Sequence, residues 1–152
     1  MSTRPDIWID LDNTLISGVQ EGGKMVVYRR PGARKFTEYL SRIGNLNLCT
    51  HGVRDHAEQS LQTIGLRDRF KKIISREDLD RVQPGVGPRI GRPGFMFDDF
   101  EVGSWLYDLK ATALGIGPEL WIQVEYFGPG SPDRDGLRKG YLELLRRVRS
   151  RR

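Results

Sequence analysis

With a single cysteine, Cys49, the chain cannot form an internal disulfide, and nothing in its composition points to an oxidising compartment. No apolar run approaches the roughly 20 residues of a membrane-spanning helix. The polar start, MSTRPD, lacks the pattern of a signal peptide. The chain is therefore expected to be cytoplasmic and off the membrane. No internal repeat is visible, and the only linker-like stretch is GPGSPDRDG, residues 128–136. What is present is ordinary for a globular protein: 152 residues, 38% hydrophobic and 30% charged. That length suits one domain over residues 1–152, large enough to bury a core.

Charge is unevenly placed. Residues 134–152 hold eight basic residues (Arg134, Arg138, Lys139, Arg146, Arg147, Arg149, Arg151 and Arg152) against Asp135 and Glu143. The body is close to neutral and the tail is basic, although the net charge is only +5. Such a tail can attract nucleic acid or another polyanion, or it can be the solvated face of a terminal helix.

Apolar runs alternate with helical patterns. IWIDL, NLNLCT, KKIIS, GFMFDD and ELWIQV read as short strands. RPGARKFTEYLSRIG, VRDHAEQSLQTIG and EVGSWLYDLKATALG read as helices closed by glycine. DGLRKGYLELLRRVRS predicts a last, basic helix over about 135–150, with Leu137, Tyr141, Leu144, Leu145 and Val148 as its apolar stripe. On that stripe Arg138, Lys139, Arg146, Arg147 and Arg149 fall on the flanks and open face. Strands alternating with helices predict an α/β fold, a three-layer, doubly wound, Rossmann-like parallel sheet. One segment breaks the rhythm. Residues 16–30 form two extended runs around Gly22-Gly23, which predicts a β-hairpin flap.

Aspartate is a poor strand former and costly to bury unpaired, yet Asp10 and Asp12 directly follow the apolar Ile7-Trp8-Ile9. In doubly wound sheets, sites form at the carboxyl ends of the strands. Three strands here end in polar groups: Asp10-Leu11-Asp12-Asn13-Thr14, Thr50-His51-Gly52 and Asp98-Asp99. Converging carboxylates repel one another. A hard divalent cation such as Mg²⁺, which prefers oxygen ligands, would relieve that repulsion.

IDLDNTLI resembles the first motif of the haloacid dehalogenase superfamily of phosphohydrolases, an apolar strand followed by Asp-x-Asp-x-Thr. Thr50 after NLNLC resembles the second motif, and Asp98-Asp99 after GFMF the fourth. The segment RRPGARKFTEYLSRIGNLNLCTHGVRDHAEQSLQTIGL is similar to the branch that includes the RNA-polymerase C-terminal-domain phosphatases. The resemblance implies Asp10 as nucleophile, giving an aspartyl-phosphate, and Asp12 as general acid and base. It implies Mg²⁺ held by Asp10, the backbone carbonyl of Asp12, and Asp98 or Asp99. Thr50 would donate to a phosphate oxygen, helped by backbone N–H groups of the loop at His51 and Gly52 and of the helix that follows. Thr14 would support the first loop.

The family's third motif is a lysine or arginine shortly before the fourth strand, often Lys-Pro. Here Gln83 precedes Pro84. Arg81 is the favoured replacement. Arg76, Arg89, Arg92, Lys71 and Lys72 are also near. His51 lies where it could touch a substrate, His56 reads as structural or exposed, and Cys49 as a buried small hydrophobe.

Superfamily members often carry a cap domain between motifs. About 35 residues separate the first two motifs here and about 30 separate Thr50 from Arg81, already filled by predicted elements, so no cap is expected. An open site suits a phosphorylated macromolecule, either a protein or a nucleic-acid end, which itself excludes water. Two alternatives stand beside that phosphatase reading. One is a non-hydrolysing phosphate-binding or regulatory module, motivated by Gln83. The other is a small-nucleotide phosphatase lidded by oligomerisation, an oligomeric state that the sequence leaves open.

Overall fold

Side chains alternate between the two faces of a strand, and the apolar residues of this chain follow that period. The computed structural model describes residues 4–130 and 135–151. Its strands are β1 (Asp6–Ile9), β2 (Ile16–Glu21), β3 (Lys24–Arg29), β4 (Asn45–Cys49), β5 (Lys72–Ile74), β6 (Gly94–Asp98) and β7 (Trp121–Gln123). Its helices are α1 (Ala33–Ile43), α2 (Arg54–Thr63), the single turn α3 (Arg76–Leu79), α4 (Trp105–Leu114) and α5 (Gly136–Ser150). Five strands form one sheet in the order β5-β4-β1-β6-β7, every pair parallel.

Ile7, Ile9, Leu46, Leu48, Phe97 and Ile122 point to one face and pack with Phe36 and Leu40 of α1, Ala57 and Leu61 of α2, and Leu137 and Leu144 of α5. Trp8, Cys49, Met96 and Trp121 point to the other and meet Leu79 of α3 and Leu106, Leu109, Ala113 and Leu114 of α4. This is the three-layer, doubly wound arrangement the sequence predicts. From β1 the chain steps outward to β4 and β5 on one side, and later to β6 and β7 on the other. The strand order therefore reverses around β1, which puts the carboxyl ends of β1, β4 and β6 at the switch point where such sheets bind ligands.

β2 and β3 pair antiparallel from Ile16↔Arg29 to Glu21↔Lys24. Their turn places Gly22 at φ 56° and Gly23 at φ 80°, the two positive angles of a tight primed hairpin turn. This is the flap expected over 16–30. Among the described residues, only that hairpin and α1 fill the β1–β4 connection. Only α2 and a 3-10 turn (Arg67–Arg69) lie between β4 and β5. No described helix is long and apolar enough to cross a membrane.

The last helix forms as expected, with Leu137 and Leu144 buried, but its basic face is not free. Arg146 Nε and Arg147 Nε each donate to Glu143, at 2.9 Å. Arg147 Nη1 also reaches the carbonyls of Glu119 (3.2 Å) and Trp121 (2.8 Å). Arg151 lies over the Phe95 ring, 6.0 Å from its centroid. The arginine-rich end of α5 therefore sits by the starts of β6 and β7, at the edge of the sheet opposite the strand ends that carry the acids. Arg134 and Arg152, counted in the basic tail, lie outside the described residues.

Candidate active site

β1 hands directly into the site. Asp10 N donates to Phe97 O (2.9 Å), extending the β1–β6 ladder by one residue. Ile9 pairs with Phe97, so that extension sets Asp10 beside Asp98. Both carboxylates are nearly or fully buried, 4% and 0% exposed. The backbone then turns sharply. Asn13 takes a left-handed φ of 65°, a conformation asparagine tolerates better than most residues. Its side-chain amide donates to Phe127 O (3.0 Å), and its own carbonyl accepts from Phe127 N (2.8 Å). Thr14, fully buried, donates to Asp10 Oδ2 (2.9 Å) and reaches Asp99 Oδ1 (3.3 Å). Behind the loop, the buried Arg30 donates to Thr14 O (3.1 Å). Thr14 and the Arg-Pro-Gly run thus brace the first loop.

The cation among the acids is Lys110. Its Nζ lies 2.8 Å from Asp10 Oδ1 and 2.6 Å from Asp98 Oδ2, with the side chain 0% exposed. Arg81 does not fill this place. It is exposed and lines a groove with Arg54, Lys72 and Asp78, and it makes no hydrogen bond to the acids. Of the other cations considered, Arg76 reaches the carbonyl of His51, Arg92 reaches Asp6 and Lys71 reaches Asn45, while Lys72 lines the groove with Arg81 and Arg89 lies against Gly115. Lys110 comes from α4, after the fourth strand and not before it. Its signal in the sequence is a lysine on an apolar stripe, four residues after Leu106 and three and four before Ala113 and Leu114, all buried. The spacing foretells burial but not the partner.

Thr50 extends β4, with its N–H bonded to Ile74 O (2.9 Å). It is 1% exposed, and its hydroxyl oxygen accepts from Gly52 N (3.0 Å), which leaves the hydroxyl proton to donate elsewhere. His51 stands at the rim, its ring edge-on to Trp105 at 5.1 Å. Trp105 also meets Phe100 edge-on at 6.5 Å. Asp12 turns its carboxylate away from the other acids, toward α2, where His56 Nε2 lies 2.8 Å from Asp12 Oδ1. His56, read from the sequence as structural or exposed, is thus at the site. Cys49 is buried as expected, and burial pushes its thiol up to about 12.

Burial, and then Asp98, raise the Asp10 carboxyl well above the usual carboxylate range, while Lys110 pulls it back. Burial and Asp98 push Asp99 up to about 6. For Lys110, burial disfavours the ammonium, but Asp10 and Asp98 outweigh it and the group stays charged. The hydrogen bond to Asp12 raises the His56 pKa.

Asp10, Asp98 and Asp99 offer carboxylate oxygens within 4.8 Å of one another. Three carboxylates against one ammonium leave negative charge over, and an all-oxygen donor set suits a hard cation such as Mg²⁺. The Asp12 carboxylate is not part of this cluster. These raised carboxyls have a consequence for stability. Between about pH 4 and about 6 the folded chain keeps a proton on Asp99 that the unfolded chain has released, and Asp10 shifts in the same direction, so stability falls as pH rises through that window. A cation that binds the ionised acids offsets that loss. Mg²⁺ should therefore raise the thermal midpoint by about 2–4 °C more near neutral pH than in mild acid. Melting curves with Mg²⁺ and with EDTA at both pH values measure this. Equal increments would mean the acids do not hold the metal.

The sequence model described as NLI interacting factor-like phosphatase matches residues 7–86. That stretch contains Asp10, Asp12, Thr14 and Thr50 and ends before Asp98 and Lys110. No curated protein gives a significant match. The fold is similar to that of the fission yeast RNA polymerase II CTD phosphatase Fcp1 bound to beryllium fluoride, with TM-score 0.51 and 16% identity over 97% of this chain and 50% of that one. A second structure of Fcp1, described as an essential RNA polymerase II CTD phosphatase, gives TM-score 0.53 and 17% identity over 93% and 49%. A Thermotoga maritima protein assigned as a beta-phosphoglucomutase gives 0.50 and 19% over 81% and 62%. At these identities the likeness is one of fold, and the chain spans about half the length of the Fcp1 chains it matches.

Proposed function

The chain belongs to the NLI interacting factor-like phosphatase family, and on that premise we propose that it is a Mg²⁺-dependent phosphomonoesterase working through an aspartyl-phosphate on Asp10. The observation that carries this reading is the buried Asp10–Lys110–Asp98 bridge at the switch point of the sheet. Asp10 attacks phosphorus, and the bond from phosphorus to the leaving oxygen breaks. Asp12 gives its proton to that oxygen. Asp12, now a carboxylate, takes a proton from water, whose oxygen attacks phosphorus. The Asp10–phosphorus bond breaks, releasing inorganic phosphate and restoring Asp10. Lys110 holds Asp10 in place through both steps and keeps a positive charge beside it. The Thr50 hydroxyl would donate to a phosphoryl oxygen, whereas the first N–H of α2, at Arg54, is taken by the Glu77 carboxylate (3.0 Å) and that of Gly52 by Thr50 itself. A divalent cation held by Asp10, Asp98 and Asp99 would supply further neutralisation of phosphoryl charge.

One alternative and one branch of the main reading lose their motive. The non-hydrolysing module was suggested by the absence of a cation near Gln83, and Lys110 supplies that cation. The nucleic-acid reading leaned on the basic tail, whose arginine-rich end lies at the far edge of the sheet. A phosphorylated protein segment fits better. The strand ends carry no cap among the described residues, and they are rimmed by His51, Phe100 and Trp105, the last 59% exposed. The fission yeast relative, a CTD phosphatase, supports the same choice. A panel of phosphoserine peptide, 5′- and 3′-phosphorylated oligonucleotide and mononucleotide, each with Mg²⁺ and with EDTA, tests it. The peptide should be turned over fastest, and only with Mg²⁺. Preference for an oligonucleotide, or full activity in EDTA, would overturn the proposal.

A further inference from the structure

His56 occupies the third position of α2, the helix that begins at the site. Its Nε2 lies 2.8 Å from Asp12 Oδ1, and Ser60 Oγ, one turn further along, lies 3.4 Å from Nδ1. Gly52 makes room for the pair. A Cβ there would come within 3.2 Å of His56 Cδ2 and 3.3 Å of Asp12 Oδ2, closer than ordinary van der Waals contact. The two side chains are 31% and 41% exposed, so the pair stands at the open side of the site. Asp10, Asp98 and Lys110 form its buried floor.

This geometry solves a problem the site creates for itself. Asp12 is two residues from Asp10 and therefore next to a cluster built to hold a cation. A carboxylate drawn onto that cation can no longer give or take a proton freely. The acid and base must instead stand on the side where the leaving oxygen departs and water arrives. We propose that His56 is the positioning residue for Asp12: it holds the carboxylate toward α2, off the cation cluster, and so sets the efficiency of the steps in which Asp12 passes a proton. The inference rests on the roles given above to Asp10 and Asp12 and adds a residue to them.

The test separates proton-dependent steps from the rest. An aryl phosphate with a nitrophenolate leaving group departs without a proton, whereas a serine alkoxide needs one. His56→Ala should lower kcat on a phosphoserine peptide by about 10- to 100-fold, with KM little changed. With the aryl phosphate, the pre-steady-state burst should keep its rate and amplitude, because aspartyl-phosphate formation needs no acid. The steady state after it should slow, because water attack still needs a base. The Mg²⁺ concentration for half-maximal activity should stay the same. His56→Gln, whose amide nitrogen reaches about as far as Nε2, should restore most of the peptide activity. His56→Leu fills the space without a donor, and it should behave like the Ala variant or replace it if that variant unfolds. Equal losses on both substrates in burst and steady state, or wild-type kinetics in the Ala and Leu variants, would overturn the positioning role. Failure of Gln to rescue would do the same. Asp10→Asn assayed alongside distinguishes the two levels. If it is inactive while the His56 variants match wild type, only the role of His56 falls. If it turns over normally, the phosphatase mechanism falls and this inference with it.

Discussion

Asp10→Asn should reduce kcat/KM on an aryl phosphate by roughly 10⁴- to 10⁶-fold, the scale of losing an essential nucleophile, and leave the fold in place. The amide is nearly the shape of the carboxylate but cannot attack phosphorus. Its oxygen can still accept from Lys110, as Asp10 Oδ1 does at 2.8 Å, while its N–H can donate to Thr14 Oγ, whose own proton is free to turn to Asp99 Oδ1, 3.3 Å away. The substitution also removes one charge from a buried, crowded set of acids, which offsets the weaker bond to Lys110. Circular dichroism and the thermal midpoint should therefore stay close to wild type while turnover disappears. Turnover within tenfold of wild type in a folded variant would end the nucleophile assignment.

Lys110→Met should damage both folding and catalysis. The side chain is 0% exposed and bridges two carboxylates. Removing one partner of a buried ionic group leaves uncompensated charge, at a cost of about 3–5 kcal/mol. For a chain of this size that amounts to a fall in thermal midpoint of roughly 6–20 °C. Mg²⁺ should recover part of the loss, because a cation among the acids takes over some of the neutralisation. Activity should not recover with it, since Asp10 has lost the group that orients it. Arg81→Ala, by contrast, should be nearly silent in both measurements. Melting curves and aryl phosphate assays on the two variants decide between the cations. A silent Lys110→Met beside an inactive Arg81→Ala would reverse the assignment.

The sheet was legible because its strands are short apolar runs bounded by glycine and polar residues, and β1, β4 and β6 each end in the residues to which the proposed chemistry falls. Asp10, Asp12, Thr14, Thr50, Asp98 and Asp99 could be found for one physical reason. Acids and hydroxyls directly after apolar strands are out of place unless the strand ends meet. The remaining site residues depend on contacts that no local pattern encodes. Lys110 shows as a lysine on the buried stripe of α4, but its partner Asp10 lies 100 residues away in sequence. The expectation of a cation before the fourth strand drew attention to Arg81 instead. His56 sits 44 residues from Asp12, and nothing in its own helix says that it faces the site. On α5 the apolar stripe was readable. Arg147's hold on carbonyls 26 and 28 residues back was not, so a face that looked free is partly tied down.

Trapping the covalent intermediate tests the nucleophilic role of Asp10 most directly. In Asp12→Asn the first step with a nitrophenyl ester needs no acid, while release of phosphate lacks its base. Mixing that variant with the ester and Mg²⁺, quenching in acid and measuring the intact mass should show one added phosphoryl group. Fragmentation should place it on Asp10, and the Asp10→Asn, Asp12→Asn double variant should carry none. No adduct on the folded single variant while it still releases nitrophenolate, or an adduct on any residue other than Asp10, would contradict the mechanism.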